Sequence, residues 1–564
     1  MGGCCSPSRA NRNLPRNQTS GPVIGKAPAE TSISNSEEKK NGAVTALRST
    51  AATGGEPKWR LWLEGAGAGI LVAFPLMWLH LSPSRETLYH ELLPMTTVYR
   101  GVLIDFVVVW LFSVLVFWLL DRRDPENRSL GWLVVGALLA MRTLRGLSVA
   151  ELIKPVWAQG GRVFLVIVAA GLILWALRRG WYRGLMRGLR MVVLLLGFSV
   201  FWILPELAAM AVYPEPHETR SFSKPITQAP QQRIVWILFD ELSYDQLIDH
   251  RQPGIDYPNF DRLASESVVF SDVEPAGEFT ERVIPSLLMG ETITAERSSL
   301  DGQLFIRTRR HPAWRQFPDQ QTVFADAQRA GWSTGAVGWY NPYCRTDAAE
   351  LNSCTWALTI PLPGHYSPDR STLQNAVAPV AKSVLRLFGR RIEDPTASQI
   401  HAADYEHLLG PARAAIAGDR VGFLFVHLPL PHPGGFYNRK TQQIGVPGSY
   451  LDNLVLTDRT LGELLQTIDD SALGSRTTVV VSSDHSWRTW LWEGTSNWAQ
   501  EDTRVSRGGH FDPRPVVMVH FPTETSGVKV GEAFPLIRMH RMLDGMIAET
   551  IENAGALQAW AAKP

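Results

Sequence analysis

The stretch IVWILFDE (234–241) decides the fold. Six consecutive apolar residues have the length of a strand buried on both faces, and they stop abruptly at two acids, Asp240 and Glu241. A second run of the same kind, TTVVVSSDHS (477–486), stops at Asp484 and His485. Between them EFTERVIPSLLMG (278–290) sets a lone hydroxyl, Thr280, just ahead of a helix-like segment whose first turn is expected to contain Pro285. Two strands ending in acid and in acid-His could grip a divalent cation, with Thr280 beside it.

Working outward, residues 233–550 alternate short apolar strands with amphipathic helices. YPNFDRLASES follows IVWILF, WSTGAVGW follows TVFADAQRAG, VGFLFVHL precedes LDNLVLTDRTLGELLQTI, and TTVVVSS and RPVVMVHF come last. This order predicts an α/β domain built on a doubly wound, largely parallel sheet. In such sheets ligands bind beyond the carboxyl ends of the strands. A third strand ends at His427, with His432 five residues further on. One acid at a strand end is commonly a loop acid or a helix cap. Several together with imidazole suit one or two divalent ions, Zn or Mn, on Asp240, Glu241, Thr280, Asp484 and His485. A hydroxyl at a helix start also meets the positive end of the helix dipole, which favours phosphoryl oxygens there. Next to a metal it would ionise more readily and act as a nucleophile.

Residues 58–212 read as an all-α membrane domain. Candidate spans are 61–81, 101–120, 129–149, 163–178 and 191–212, each near the roughly 20 residues that cross a bilayer. The third is interrupted by Arg142 and Arg145, which could snorkel. Arg122, Arg123 and Arg128 in one loop, and Arg178, Arg179, Arg183, Arg187 and Arg190 in another, lie on the same side only with five spans and a cytoplasmic N-terminus. Four spans would set the two loops in conflict. Everything after 212 then faces outward. Residues 213–232 form a Pro-rich linker, 1–57 a polar tail too poor in apolar residues to order itself, and 551–564 a C-terminal tail.

Cys344 and Cys354 sit ten apart in NPYCRTDAAELNSC (341–354). Facing an oxidising compartment, they are expected to form a disulfide; otherwise they are free thiols. MGGCCS at the start fits a lipidation pattern with Gly2 and Ser6. A net charge of +1, without a long basic tract, argues against nucleic acid as a partner.

The residues quoted resemble the alkaline-phosphatase and sulfatase-like superfamily, and within it the membrane-anchored phosphoethanolamine and phosphoglycerol transferases. The resemblance covers roughly 233–525. It implies metal ligands at Asp240, Asp484 and His485, with Glu241 as a further candidate, and a nucleophile at Thr280, five residues ahead of Pro285. It also implies a substrate contact at His432 in LPLPHPGG (428–435) and a further metal or phosphate contact at His510. Arg345 is a candidate for holding the substrate anion. The chain departs from true sulfatases, whose C-x-P-S-R motif supplies the reactive residue: Val283 stands where that Cys would be. A CSPSR does occur at 5–9, but in the tail ahead of the first span, where it reads as coincidence. SDHGE is here SDHSW, and His427 has no firm counterpart. The expected function is a multi-pass enzyme of the inner membrane with its catalytic domain on the periplasmic or extracellular side. It would move a phosphoryl-linked head group from a phospholipid donor to a glycan or lipid acceptor through a phospho-threonine. A hydrolase of the same superfamily, or an inactive lipid-sensing member, are the alternatives.

Overall fold

The computed structural model describes residues 58–81, 95–121, 182–212, 221–226, 229–299, 303–317, 321–358 and 396–563. The expected spans 129–149 and 163–178, the tail with MGGCCS and CSPSR, and the arginines of the 121–128 loop lie outside the described residues.

The apolar N-terminal part contains helices α1 (Lys58–Leu81), α2 (Met95–Asp121), α3 (Tyr182–Gly197) and α4 (Val200–Ala211). Two stretches of these, Tyr99–Leu119 and Arg187–Ala211, are long and apolar enough to cross a membrane. The second begins inside what the arginines suggested was a loop. Residues 182–190 are already helical and run into the apolar segment, and a turn at 198–199 separates α3 from α4. α1 carries EGAGAG (64–69), and the glycines serve close packing. A Cβ on Gly67 would lie 1.9 Å from the Val193 carbonyl oxygen, and one on Gly197 would lie 2.0 Å from that of Leu63. Beside this contact the buried Glu64 is paired with Arg190, as a charge in an apolar helix bundle must be.

The rest is organised by a nine-stranded sheet. Its strands, in chain order, are β1 (Ser221–Ser223), β2 (Arg233–Phe239), β3 (Val268–Phe270), β4 (Thr334–Trp339), β5 (Ser353–Ala357), β6 (Phe423–Leu428), β7 (Thr477–Ser483), β8 (Val517–His520) and β9 (Val528–Val530). They lie in the order β1-β5-β4-β6-β2-β7-β8-β3-β9. The block from β5 to β7 is parallel throughout. β1 runs antiparallel to β5, and β8 runs antiparallel to both its neighbours. The sheet is therefore mixed, with a parallel centre.

β2 and β6 are buried along their whole length, because helices cover both faces. These helices include α5 (Pro258–Ser265), α6 (Thr280–Met289), α7 (Val323–Arg329), α8 (Ala397–Ala417), α9 (Tyr450–Asp469) and α10 (Met539–Ile547). Starts are specified locally: Thr396 with Gln399 and Ser449 with Asp452 form reciprocal capping boxes on α8 and α9. At the amino end of β2 the buried Arg233 donates to Thr477 Oγ1 (2.9 Å), Ser471 Oγ (2.7 Å) and the carbonyls of Ile416 (2.6 Å) and Gly418 (3.1 Å). Every hydrogen bond there replaces water that burial removed. The opposite, carboxyl end of the same strand carries the acids.

Candidate active site

Register brings the strand ends together. Phe239 of β2 pairs with Leu428 of β6 on one side and Ser483 of β7 on the other. The next residues along, Asp240 and Asp484, therefore emerge side by side although 244 positions separate them in the sequence. Asp240, Asp484 and His485 are all buried. The chain turns sharply at Glu241, whose φ of 62° is unusual for a residue other than glycine. Its amide donates to Asp484 Oδ1 (3.2 Å), that of Leu242 donates to Ser483 Oγ (2.8 Å), and Tyr450 OH donates to the Glu241 carbonyl (2.7 Å).

Thr280 is the first residue of α6 and is buried. Its hydroxyl donates toward Asp484 Oδ2 (2.9 Å) and Asp240 Oδ2 (3.2 Å), and lies 3.2 Å from His485 Nε2. Because the helix starts at Thr280, Pro285 falls in the second turn rather than the first. The cost of a proline there is one missing amide hydrogen bond. Ser286, next along, sends its hydroxyl back to the Arg282 carbonyl (2.6 Å).

Burial, reinforced by the Asp484 charge, raises the Asp240 carboxyl well above its usual range. Burial also works against the charged forms of Asp484 and His485, but their mutual attraction prevails: Asp484 is lowered and His485 raised. Asp240 Oδ1 is buried with no hydrogen-bond partner, as is His427 Nε2.

His427 lies within β6, its Nε2 3.5 Å from Asp240 Oδ2, and Tyr343 OH bonds its Nδ1 at 2.8 Å. Burial lowers its pKa to about 4, so the ring is neutral. His432 has Nδ1 on the Pro433 carbonyl (2.9 Å) and Nε2 3.8 Å from Glu241 Oε1. Burial, aided by the Arg488 charge, lowers it to about 3. The rings of Trp339, His401 and Trp492 pack edge-on around it at 5.1–5.2 Å.

The Glu241 carboxylate, which with Asp240 and His432 forms a second group that could hold a metal, is engaged by the chain itself. Arg488 donates to it through Nε (2.9 Å to Oε1), Nη2 and its own backbone amide (3.1 Å to Oε2), and Trp492 Nε1 adds contacts of 2.9 and 3.1 Å. Arg345 lies with its guanidinium 6.0 Å from the centre of the Trp356 ring, on the short helix Tyr343–Thr346. His510 is exposed in the loop after residues 500–505. Cys344 and Cys354 form a disulfide. Sequence reading missed Arg488, Trp492 and Tyr343. The first had a signal, an Arg three residues past His485 in SDHSWR, but its partner lies 247 residues away.

The profile of the Sulfatase family matches residues 232–506. No curated protein sequence matches the chain. Solved structures that are similar include the phosphonate monoester hydrolase of Agrobacterium radiobacter (14% identity, 56% of this chain and 74% of that one, TM-score 0.34). Another is the lipoteichoic acid synthase LtaP from Listeria monocytogenes (10%, 57% and 72%, 0.35). A third is murine ectonucleotide pyrophosphatase/phosphodiesterase 5 (12%, 56% and 95%, 0.31). Likenesses this distant bear on neither substrate nor reaction.

The residues present fit a divalent metal. Asp240, Asp484 and His485 offer ligand atoms within 4.8 Å of one another, and the partnerless Asp240 Oδ1 is an acceptor that burial leaves unsatisfied.

Proposed function

We propose that the chain is a membrane-bound, metal-dependent transferase that moves a phosphoryl-linked head group from a phospholipid to a glycan or lipid acceptor through phospho-Thr280. One observation carries this reading: the Thr280 hydroxyl, at the start of α6, lies within 3.2 Å of Asp240, Asp484 and His485. A structural threonine does not need three ionisable partners in a dry site, whereas a nucleophile held against a cation does.

A bound divalent ion would supply positive charge for the phosphoryl oxygens and for the ionised Thr280 oxygen. Asp240, Asp484 and His485 would hold it, with Thr280 Oγ1 alongside. Thr280 attacks phosphorus, forming its own P–O bond as the bond from phosphorus to the lipid alcohol breaks. The threonine releases its proton and the departing alcohol takes one up. In the second step an acceptor hydroxyl attacks phosphorus, forming a new P–O bond as the bond from phosphorus to Thr280 Oγ1 breaks, and the threonine oxygen takes a proton back as the acceptor gives one up. His432, with Nδ1 engaged by the Pro433 carbonyl, would contact the transferred group through Nε2. Arg345 and His510 would contact substrate only if it extends beyond the buried cluster.

The lipid donor is suggested by Tyr99–Leu119 and Arg187–Ala211, which would keep the domain at a membrane surface, with five spans setting it outside. The disulfide agrees with an oxidising compartment. The test is intact-mass analysis of the full chain after incubation with phospholipid vesicles. A head-group adduct that maps to Thr280 and is absent from T280A is expected. An adduct discharged by water alone makes the protein a hydrolase. Turnover of phosphodiesters by T280A at the wild-type rate would refute the assignment.

A further inference from the structure

Next to α6, apart from the nine-stranded sheet, the chain forms a small antiparallel sheet of Ile293–Ser298, Leu304–Thr308 and Arg315–Gln316. Its inner face is held to α6. Ile293, Leu304 and Ile306 are buried, the Ile293 amide donates to Ser286 Oγ (2.9 Å), and Glu296 pairs with Arg282, two residues past Thr280. Alternation along the strands turns the other side chains outward. Arg297 stands opposite Phe305, and Phe305 opposite Gln316, so Arg307 and Trp314 share that outer face. Both guanidinium groups lie over the Trp314 ring, Arg297 at 4.4 Å and Arg307 at 4.2 Å from its centre. Arg309, Arg310 and His311 follow in an exposed turn, which Thr308 closes with hydrogen bonds to His311.

Charge sets this surface apart. Glu291 and Glu296, the acids at this sheet, are paired with Arg315 and Arg282. Among the described residues Arg297, Arg307, Arg309 and Arg310 have no carboxylate partner, and Arg307 Nε is buried without a hydrogen bond. Four guanidinium groups on one face repel one another, and an anionic surface laid against them relieves this. They extend from the row of Arg297 to the turn, roughly 10 Å at about 3.4 Å per residue, too far for one small anion to meet them all. Indole among cations is the composition of a membrane–water interface, where the ring sits at head-group level and arginines meet lipid phosphate. Tyr99–Leu119 and Arg187–Ala211 would keep such head groups at high local concentration. We propose that this outer face docks on anionic phospholipid head groups of the bilayer that anchors the chain. Docking there holds α6, and Thr280 at its start, in a fixed relation to the lipid. The inference rests on the membrane-bound reading above and adds where the soluble domain meets the bilayer.

The experiment places the full chain in nanodiscs of phosphatidylcholine, alone or mixed with phosphatidylglycerol, and follows amide exchange of residues 293–316 by mass spectrometry. Exchange is expected to be slower in the anionic discs, and the difference to shrink as salt is raised. Each arginine near an anionic surface strengthens association about fivefold, so R309Q/R310Q, both in the exposed turn, should lower the docked-to-free ratio about 25-fold. R413Q, which changes an exposed arginine of α8, is the control and should leave exchange at 293–316 unchanged. Equal exchange in the two kinds of disc, or full protection in R309Q/R310Q, would overturn the inference. So would equal protection by inorganic phosphate or dextran sulfate in phosphatidylcholine discs, since the face would then take a free anion or an anionic glycan. A chain that stays soluble without detergent or lipid would instead overturn the membrane-bound reading. Co-sedimentation with phosphatidylglycerol vesicles, present in wild type and lost in R309Q/R310Q, then decides the docking face by itself.

Discussion

Placing a methyl group on Gly338 tests the connection between the disulfide-bearing turn and the acids. Gly338 lies in β4, and a Cβ there would sit 2.2 Å from Tyr343 Cε2 and 2.4 Å from Cδ2. Carbon atoms settle at about 3.5–4.0 Å, so the buried ring must retreat by more than about 1 Å. The hydrogen bond from its hydroxyl to His427 Nδ1, 2.8 Å long, then breaks. Overpacking costs about 1–3 kcal/mol. The two buried groups left unsatisfied add about 1–3 kcal/mol. Replacing glycine returns about 0.5–1 kcal/mol of backbone entropy. The net loss expected for G338A is about 1–5 kcal/mol. Gly410 in α8 is the control: a Cβ there meets nothing within 4 Å, so G410A should gain about 0.5–1 kcal/mol. Denaturant unfolding of the full chain in one detergent, followed by tryptophan fluorescence, measures both. Turnover of G338A should fall as well, because His427 is the neighbour that faces Asp240 Oδ2. An unchanged midpoint and turnover for G338A, with G410A shifted upward, would refute the argument that Tyr343 positions His427.

Removing the Thr280 hydroxyl in T280A should lower turnover by about 10^4-fold or more, with T280S retaining a measurable part, as steady-state kinetics on a chromogenic phosphodiester would show. The Cys344–Cys354 bond spans ten residues, so C344S/C354S should lose about 2–3 kcal/mol in the same unfolding assay. Asp502 accepts from the amides of Ala499 (2.7 Å) and Tyr450 (2.9 Å), yet burial outweighs these bonds and raises it to about 6. Between its ordinary carboxylate range and pH 6 the folded chain keeps a proton that the unfolded chain has released. Stability therefore falls as pH rises across that window, and D502N should remove this component from a plot of unfolding free energy against pH.

What could be read in the chain was whatever neighbours in sequence are enough to specify. IVWILF and TTVVVSS carry their own burial pattern, and the acids that follow inherit their position from strand register, so Asp240, Asp484 and His485 converge as soon as β2 and β7 are parallel neighbours. The start of α6 was less legible: Pro285 suggested a later beginning, but the chain accepts one missing hydrogen bond in the second turn to make Thr280 the first helical residue. Arg488 and Tyr343 could not be read, because their meaning is a partner far along the chain. Arg488 closes Glu241 across 247 positions, and Tyr343 reaches His427 across 84. Sequence patterns report which faces are apolar, whereas a buried ion pair reports which acid has been neutralised by the fold. Two adjacent acids, Asp240 and Glu241, look equivalent as letters. One guanidinium makes them opposites: Glu241 is engaged by a buried cation of the chain, whereas Asp240 keeps an oxygen with no hydrogen-bond partner.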